Sequence, residues 1–501
     1  MTASKSLLQT KYLSVSFGGL LFAVLLWKIM SLDFRYALAF TGGLIVISLF
    51  MMVISRIDEF LVYAFIFDIP FATLEKWLFL QPVGAAAKGI NLGLSELLLL
   101  TAYSVWFVQI FVARTQPAPK LQKLDFCILL LLLVQGFSWL GAPNKLMATF
   151  DIVYNLKHML IYFFILHKVK QSKLKTVIIL LLVAIVLESG FAGYERLSGN
   201  IGIGLAKGNA QSEDFGTQYV VPGLESVRSA GTTQDSHVLG LYYALILPIP
   251  LVFMSIVDRT SVRMSLLTVF LVGLAGLFSS YSRSAWLSFG LSTSFAAIFM
   301  AYYWQRYFII PFAVAAVIAV GIFYPQAYSA IYNRIVDAPQ GIMDARYETY
   351  RTALDIWRQH PFLGYGPGNY FEAIDDPAIL QQTVKGETGS NVYEIPVHNA
   401  LLWIAADLGL LGVIAFFSIP VMIMMRCRKF LASEDILVRG FSLAVISALI
   451  SYLLDGLTSP LFRDGVPYTQ FWVYAAVIFS FPVVSRNNPA AETVHGSGAV
   501  S

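Results

Sequence analysis

The stretch HNALLWIAADLGLLGVIAFFSIPVMIMMRCRKF, from His398 to Phe430, decides what kind of fold this chain adopts. Asp407 is its single acidic residue, and no basic side chain follows His398 until Arg426. An apolar run of this length exceeds the roughly 20 residues that an α-helix needs to cross a bilayer. Because arginine and lysine beside a span tend to stay cytoplasmic, the stretch predicts a transmembrane helix that begins outside and ends inside.

The composition extends this prediction to the whole chain. The 501 residues are 57% hydrophobic and 13% charged, whereas soluble domains carry about 25% charged residues. A soluble fold would need several buried helices of about 20 residues without a polar face, so a polytopic membrane protein is the better interpretation. The net charge of +4 says little about partners, and we expect no nucleic acid among them. Cys127 and Cys427 lack metal-ligand spacing and are interpreted as packing residues.

We therefore predict an all-α fold, a polytopic membrane bundle of about 12–14 transmembrane helices with a structured periplasmic loop. No cleavable signal peptide is predicted, because the first apolar run is long enough to stay as a helix. The candidate spans lie near 12–31, 35–55, 58–73, 90–113, 125–141, 149–168, 175–194, 237–257, 264–279, 284–302, 307–323, 397–425, 437–455 and 468–485. The predicted organisation is N-terminal transmembrane helices in 1–194, a first outer loop in 195–236, central transmembrane helices in 237–323, a large periplasmic loop with an amphipathic helix in 324–396, C-terminal transmembrane helices in 397–486 and a disordered tail in 487–501.

The basic residues predict which loops face which side of the membrane. Clusters of lysine and arginine follow the even-numbered spans, so those loops and both termini are predicted to be cytoplasmic. The long segments 195–236 and 324–396 then lie outside, together with the turn that contains Arg283 and the turn 456–467. Long loops on one face are commonly functional.

The second outer segment carries a helical pattern. In ARYETYRTALDIWRQHPFLGYGPGNY, apolar and aromatic residues from Tyr347 to Trp357 recur near helical spacing, and Pro361 predicts the helix end. GYGPG then predicts a tight turn. We expect an amphipathic helix along the outer surface, which is compatible with a simple structured cap over the bundle.

Four polar clusters are predicted to converge on the outer face. They are GLESVRSAGTTQDSH with Glu225, Arg228, Asp235 and His237; YSRSAW with Arg283; the loop helix with Arg346, Arg351 and Arg358; and VHNALLW with His398 and Asn399. An arginine at a helix N-terminus suits a bound anion, which would also accept hydrogen bonds from the free N–H groups. The alternative for Arg283 is an interfacial arginine that reaches lipid headgroups.

His398 begins an apolar helix and could act as a general base near neutral pH. Its alternative is an interfacial histidine bonded to a carbonyl group. Asp407, deeper in the helix, is interpreted as a structural hydrogen-bond anchor, and Asp455 and Arg463 as a structural pair. Neither a metal-ligand cluster nor a phosphate-binding Walker loop is found in the sequence, so we expect no cofactor.

Taken together, SYSRSAWLSF, ARYETYRTALDIWRQHPFLGYGPGNY and HNALLWIAADLGLLGVIAF resemble, in this order, the signature of the O-antigen ligase and O-antigen polymerase family. The upstream VRSAGTTQDSHVLGLYYAL resembles the family's arginine-and-glycine segment, with TTQDSH in place of the usual asparagine-bearing stretch. The resemblance covers roughly 180–425, and the N-terminal third matches only as hydrophobic spans.

The resemblance implies a membrane-embedded glycosyltransferase of the bacterial inner membrane, with its active site on the periplasmic side. Its substrate would be a glycan on undecaprenyl pyrophosphate, and neither metal nor nucleotide would be needed. Carried over by motif, the catalytic residues would be Arg228, Arg283 and His398. Substrate-binding contributions are expected from Arg346, Tyr350, Arg351 and Asn399.

The acceptor leaves several alternatives open. A second lipid-linked unit would make the enzyme a polymerase of surface polysaccharide or exopolysaccharide, which we favour. Lipid A core, as in lipopolysaccharide, would make it a ligase, and a protein side chain an oligosaccharyltransferase. Polysaccharide chain-length and export proteins are the expected protein partners. The alternatives from other classes are a membrane transporter and a non-catalytic assembly scaffold. A transporter is expected to have charged residues at the midplane and broken helices in matching halves, and the sequence has no matching halves. A scaffold would leave the arginine and histidine motifs unexplained.

Overall fold

The computed structural model describes residues 57–71, 75–83, 86–112, 114–198, 228–233, 235–304, 340–374, 397–459 and 465–482. Outside one antiparallel hairpin, their regular structure is helical, which confirms the predicted all-α membrane bundle. The helices are α1 Ile57–Asp68, α2 Leu94–Phe107, α3 Lys123–Gly141, α4 Lys145–Lys168, α5 Leu174–Ser198, α6 Ser236–Ile246, α7 Pro248–Ile256, α8 Thr260–Ser279, α9 Arg283–Tyr303, α10 Gln340–Gln359, α11 Tyr370–Ile374, α12 Ala400–Phe430, α13 Ile436–Asp455 and α14 Gly465–Ser480.

Within these ranges, nine helical segments are long and apolar enough to cross a membrane. They are Leu94–Phe111, Lys123–Gly141, Lys145–Lys168, Gln171–Ser198, Ser236–Ile256, Thr260–Ser279, Arg283–Tyr303, Ala400–Phe430 and Ile436–Asp455. The predicted spans 12–31, 35–55 and 307–323 lie outside the described residues, so the total number of helices stays a prediction.

The region from 57 to 93 differs from the predicted helices. In place of a span over 58–73, α1 stops at Asp68 and a short 3-10 turn, Ile69–Phe71, follows, because Pro70 cannot continue the helix. Strands β1 Glu75–Val83 and β2 Ala86–Gly93 then pair antiparallel, from Glu75 with Gly93 to Val83 with Ala86. The helix predicted from residue 90 therefore begins at Leu94.

The centre of the bundle is the pair α6 and α7, whose residues are all buried except His237. They form one candidate span that is interrupted at Leu247, since Pro248 and Pro250 have no N–H to donate. Around them pack α8, α9, α13 and α14. The outward faces of α3 and α9 carry exposed apolar side chains such as Phe126 and Leu287, as expected where helices face lipid.

The helix α12 is broken at Gly409, whose φ of +66° lies in the left-handed region. The turn from Pro361 to Gly366 docks against this break. Tyr365 N donates to Ala406 O at 2.8 Å, and Leu410 N donates to Pro361 O at 2.8 Å. The peptide groups that lose their helical partners are thus satisfied by the turn, as the membrane interior requires.

Asp407 anchors the same turn. Its Oδ2 accepts hydrogen bonds from Gly368 N at 2.9 Å and from Trp403 Nε1 at 3.0 Å. The residue is 3% exposed. This agrees with the predicted structural role for a carboxylate deep in an apolar helix.

Gly409→Ala tests whether the break in α12 depends on glycine. A Cβ at this position would lie 2.3 Å from the backbone carbon of Phe362, and the left-handed φ disfavours any L side chain. We expect a loss of at least about 2 kcal/mol of stability, measured as a lower apparent melting temperature in detergent.

The matched control is Gly290→Ala in α9, where nothing lies within 4 Å of the added Cβ. This variant is expected to be neutral or to gain up to about 1 kcal/mol, because alanine is the better helix former. Equal melting temperatures for the two variants would contradict the docking of the turn against the break.

Candidate active site

The ends of several helices meet at one end of the bundle. Ser229 N donates to Ser279 O at 3.0 Å, so the segment that follows Arg228 lies against the end of α8. Ala400 N, at the start of α12, donates to Gly456 O at 2.8 Å, directly after α13. Because His237 in α6 contacts Asp455 at the end of α13, the beginnings of α6, α9 and α12 share this end with the ends of α8 and α13.

Arg283 is the first residue of α9 and is partly buried. The turn before it contains Tyr281, a buried residue with a φ of +51°, which folds the chain sharply between α8 and α9. Ser282 is the N-cap residue and makes no side-chain capping bond. Arg228 reaches the same turn, because its Nε donates to Ser280 O at 3.1 Å. The two arginine segments predicted from the sequence are thus brought together.

His237 connects this turn to α13. Its Nδ1 lies 2.9 Å from Ser282 Oγ, and its Nε2 lies 3.2 Å from Asp455 Oδ2. Asp455 Oδ2 also accepts from Ser459 Oγ at 2.7 Å. Sequence analysis named His237 and Asp455 but did not pair them, and the Arg463 expected beside Asp455 lies outside the described residues.

His398 lies immediately before α12 and is partly buried. Burial, together with the nearby charges of Arg346 and His237, lowers the pKa of its imidazole to about 4, and Asp235 opposes this effect. The imidazole is therefore neutral at physiological pH and can accept a proton.

Tyr350 and Asn399 have structural partners. Tyr350 Oη donates to His398 O at 2.8 Å, so α10 is tied to the start of α12. Burial raises the pKa of the Tyr350 hydroxyl, with Arg346 opposing. Asn399 Oδ1 accepts from Leu402 N at 3.0 Å as the N-cap of α12, and Asn399 Nδ2 donates to Leu457 O at 3.1 Å. Both side chains hold the backbone that carries His398.

The remaining predicted residues are placed less centrally. Arg351 lies on the exposed side of α10, one residue beyond Tyr350, and its contribution stays a prediction. Glu225 lies outside the described part of the chain. Among the residues that the structure describes, no group of three or more His, Cys, Asp or Glu side chains is placed to hold a metal ion.

These features define the class as a multi-pass helical membrane protein with arginine, histidine and helix N-termini gathered at one end of its bundle. Residues 268–417 match the family described as O-antigen ligase. The chain therefore carries an O-antigen ligase domain, which supports a ligase or polymerase role in glycan assembly. The match runs from α8 to α12 and includes Arg283 and His398, whereas Arg228 precedes it. No curated protein matches the chain.

The depressed pKa of His398 predicts acid sensitivity of the fold. Between about pH 6.5, the pKa of an unperturbed histidine, and the pKa of about 4 in the folded protein, His398 is protonated in the unfolded chain and neutral in the folded chain. The free energy of unfolding therefore falls as pH falls. Through His398, the wild type is expected to lose up to about 2 kcal/mol of stability between pH 7 and pH 5, and the His398→Gln variant should not show this part of the loss. The measurement is the apparent melting temperature across this pH range.

His360→Gln is the matched control, because this histidine is exposed at the end of α10. It should leave the pH profile of the melting temperature as in the wild type. An unchanged profile for His398→Gln would show that the imidazole of His398 is not held in its neutral form.

Proposed function

We propose that this protein is a glycosyltransferase that polymerises glycan units carried on undecaprenyl pyrophosphate. The observation that carries the proposal is the meeting of the Arg228 segment, the Arg283 turn and His398 at one end of the bundle, together with the O-antigen ligase domain. We place the enzyme in a bacterial inner membrane, with this end facing the periplasm. The basic residues that follow the even-numbered spans support that orientation.

The diphosphate of the carrier is the proposed ligand of the arginines. A guanidinium donates two parallel hydrogen bonds to phosphate oxygens, and helix N-termini add partial positive charge and free N–H groups. Arg283 begins α9, and Arg228 contacts the turn before it. Negative charge grows on the diphosphate as the glycosidic bond breaks, so cationic groups fixed in this place stabilise the transition state.

His398 is the proposed general base. The acceptor hydroxyl attacks the anomeric carbon of the donor glycan, the bond between this carbon and the diphosphate oxygen breaks, and the hydroxyl proton passes to the imidazole. Lipid diphosphate then leaves with the bonding electron pair, and no metal is required for this step. Bound diphosphate would offset the charge of Arg346, one of the causes that lower the pKa of His398. Substrate binding would therefore strengthen the base.

Tyr350 and Asn399 are proposed to position His398 through the backbone contacts described above. Arg346 and Arg351, both on α10, are proposed to bind substrate, with Arg351 at the solvent-exposed edge of the site. The cover formed by α10 and the turn that follows it would exclude water, which competes with the acceptor. A growing glycan is the acceptor we favour, and chain-length and export proteins are the partners that such a polymer would require.

Removal of the arginines tests the proposed diphosphate site. Arg283→Ala and Arg228→Ala are each expected to lower polymer formation about 100-fold or more, because a preorganised cationic donor is lost from the transition state. Arg283→Lys should retain part of the activity, since lysine keeps the positive charge but lacks the planar group that donates two parallel hydrogen bonds. Transfer from a purified lipid-linked glycan is the measurement.

The matched control is Arg358→Ala, which removes an arginine from α10 whose side chain is 69% exposed and pairs with Asp355. Its activity should equal that of the wild type, and all variants should insert in the membrane in equal amounts. Wild-type activity in Arg283→Ala would refute the assignment.

The nature of the product separates the proposed polymerase from its alternatives. Purified protein given lipid-linked repeat units alone, without added metal, is expected to form a ladder of long chains on a gel. His398→Ala should abolish the ladder. Product that appears only when a lipid A core or a protein acceptor is added would instead show a ligase or an oligosaccharyltransferase.

A further inference from the structure

Two carboxylates lie fully buried on α5, outside the residues assigned to the reaction. Glu188 and Glu195 are each 0% exposed. They are seven residues apart, so they lie on the same face of the helix. A carboxylate in the interior of a membrane bundle is expensive unless strong donors surround it, and its presence there generally marks a function.

The donors come from the segment that directly follows Arg228. Glu195 Oε2 accepts from Ala230 N at 2.8 Å and from Gly231 N at 2.7 Å. Glu188 Oε1 accepts from Thr232 N at 2.8 Å, and Glu188 Oε2 accepts from Thr232 Oγ1 at 2.7 Å. Three consecutive backbone N–H groups thus point at α5 and donate to the two buried carboxyl groups.

The segment fits α5 closely. Gly231 has a φ of +57°, and a Cβ there would lie 2.0 Å from Glu188 Oε1. Ser229 makes two hydrogen bonds to neighbouring helices. Its Oγ donates to Ala192 O on α5 at 2.9 Å, and its N donates to Ser279 O at the end of α8 at 3.0 Å. The backbone that follows Arg228 is therefore hydrogen-bonded to both α5 and α8.

The same helix also holds the second arginine segment. Arg196, next to Glu195 in the chain, donates from Nη2 to Tyr281 Oη at 3.1 Å, and its guanidinium carbon lies 5.4 Å from the centre of the Tyr281 ring. Tyr281 is two residues before Arg283. The end of α5 thus contacts both of the chain segments that bring an arginine to the site.

We infer that Glu195, supported by Glu188, is a positioning residue for the diphosphate site. Its carboxylate holds the backbone at 230 and 231, which fixes where the Arg228 guanidinium meets the turn before Arg283. This inference rests on the proposed function, because it assigns Glu195 an effect that is transmitted through Arg228 to the diphosphate. Glu195 itself does not touch substrate.

A double-mutant cycle tests this transmission. The probe is farnesyl diphosphate, whose dissociation constant is measured with the full-length protein in detergent. We expect Glu195→Ala and Arg228→Ala to weaken binding by a similar factor, about 10-fold, and the double variant to bind no more weakly than Arg228→Ala alone. Glu195→Gln should stay within about 3-fold of the wild type, because its amide oxygen still accepts hydrogen bonds. Independent, multiplying effects of the two alanine substitutions would overturn the inference.

A second variant keeps the test informative if Glu195→Ala does not fold. Gly231→Ala forces the segment away from Glu188 and leaves both carboxylates in place, and it should weaken binding as Glu195→Ala does. Asp125→Ala is the matched control. This carboxylate accepts from Gln122 N at the start of α3, by a basic loop predicted to be cytoplasmic, and its loss should leave binding unchanged.

The outcomes separate this inference from the proposed function. Failure of the wild-type protein to bind farnesyl diphosphate, or normal binding by Arg228→Ala, would count against the diphosphate site itself. Weak binding by Arg228→Ala with normal binding by Glu195→Ala and Gly231→Ala would leave that site intact and refute only the positioning role of α5.

Discussion

The exchange of backbone hydrogen bonds at the break in α12 is the constraint on which the arrangement of the site depends. Inside a bilayer an unsatisfied peptide group costs several kcal/mol, so the helix can open at Gly409 only where other chain atoms replace the lost partners. The turn from Pro361 to Gly366 supplies them in both directions. Ser138 on α3 adds a bond from its Oγ to Leu363 O at 2.7 Å. The chain that carries α10 is therefore fixed to the bundle by its backbone, and Tyr350 can reach His398.

Much of the fold could be predicted from the lengths of the apolar segments, because the thickness of the bilayer fixes how many apolar residues a crossing helix needs. The hairpin after α1 was not predicted, because most of its residues lie between the candidate spans 58–73 and 90–113. The break at Gly409 was not predicted either. A single glycine is common in apolar helices, and the sequence does not show that the turn from Pro361 to Gly366 packs against this one. The arginine segments and His398 were recognisable as motifs. The pairing of His237 with Asp455 was not, because it joins the start of α6 to the end of α13, far apart in sequence.

The acidic side chains described at this end of the bundle serve the scaffold. Asp235 caps α6 by accepting from His237 N and Val238 N, Asp455 contacts His237, and Glu195 holds the segment after Arg228. Each carboxylate thus stabilises a backbone or a ring that places a candidate catalytic group. Carboxylates that are bonded to the protein, and not directed at the ligand, are compatible with an anion site, because a carboxylate facing a bound anion would weaken its binding.

In the proposed reaction, the low pKa of His398 would link proton acceptance to the presence of substrate. Burial is the largest cause of the lowered pKa, and the charge of Arg346 is the next. An imidazole with a pKa of about 4 is a weak base toward a hydroxyl group, so without a bound anion it activates water poorly. A diphosphate beside Arg346 would offset that charge and raise the basicity of the ring, whereas the burial effect would persist. General-base strength would then increase when the donor glycan is in place, which favours transfer over wasteful hydrolysis.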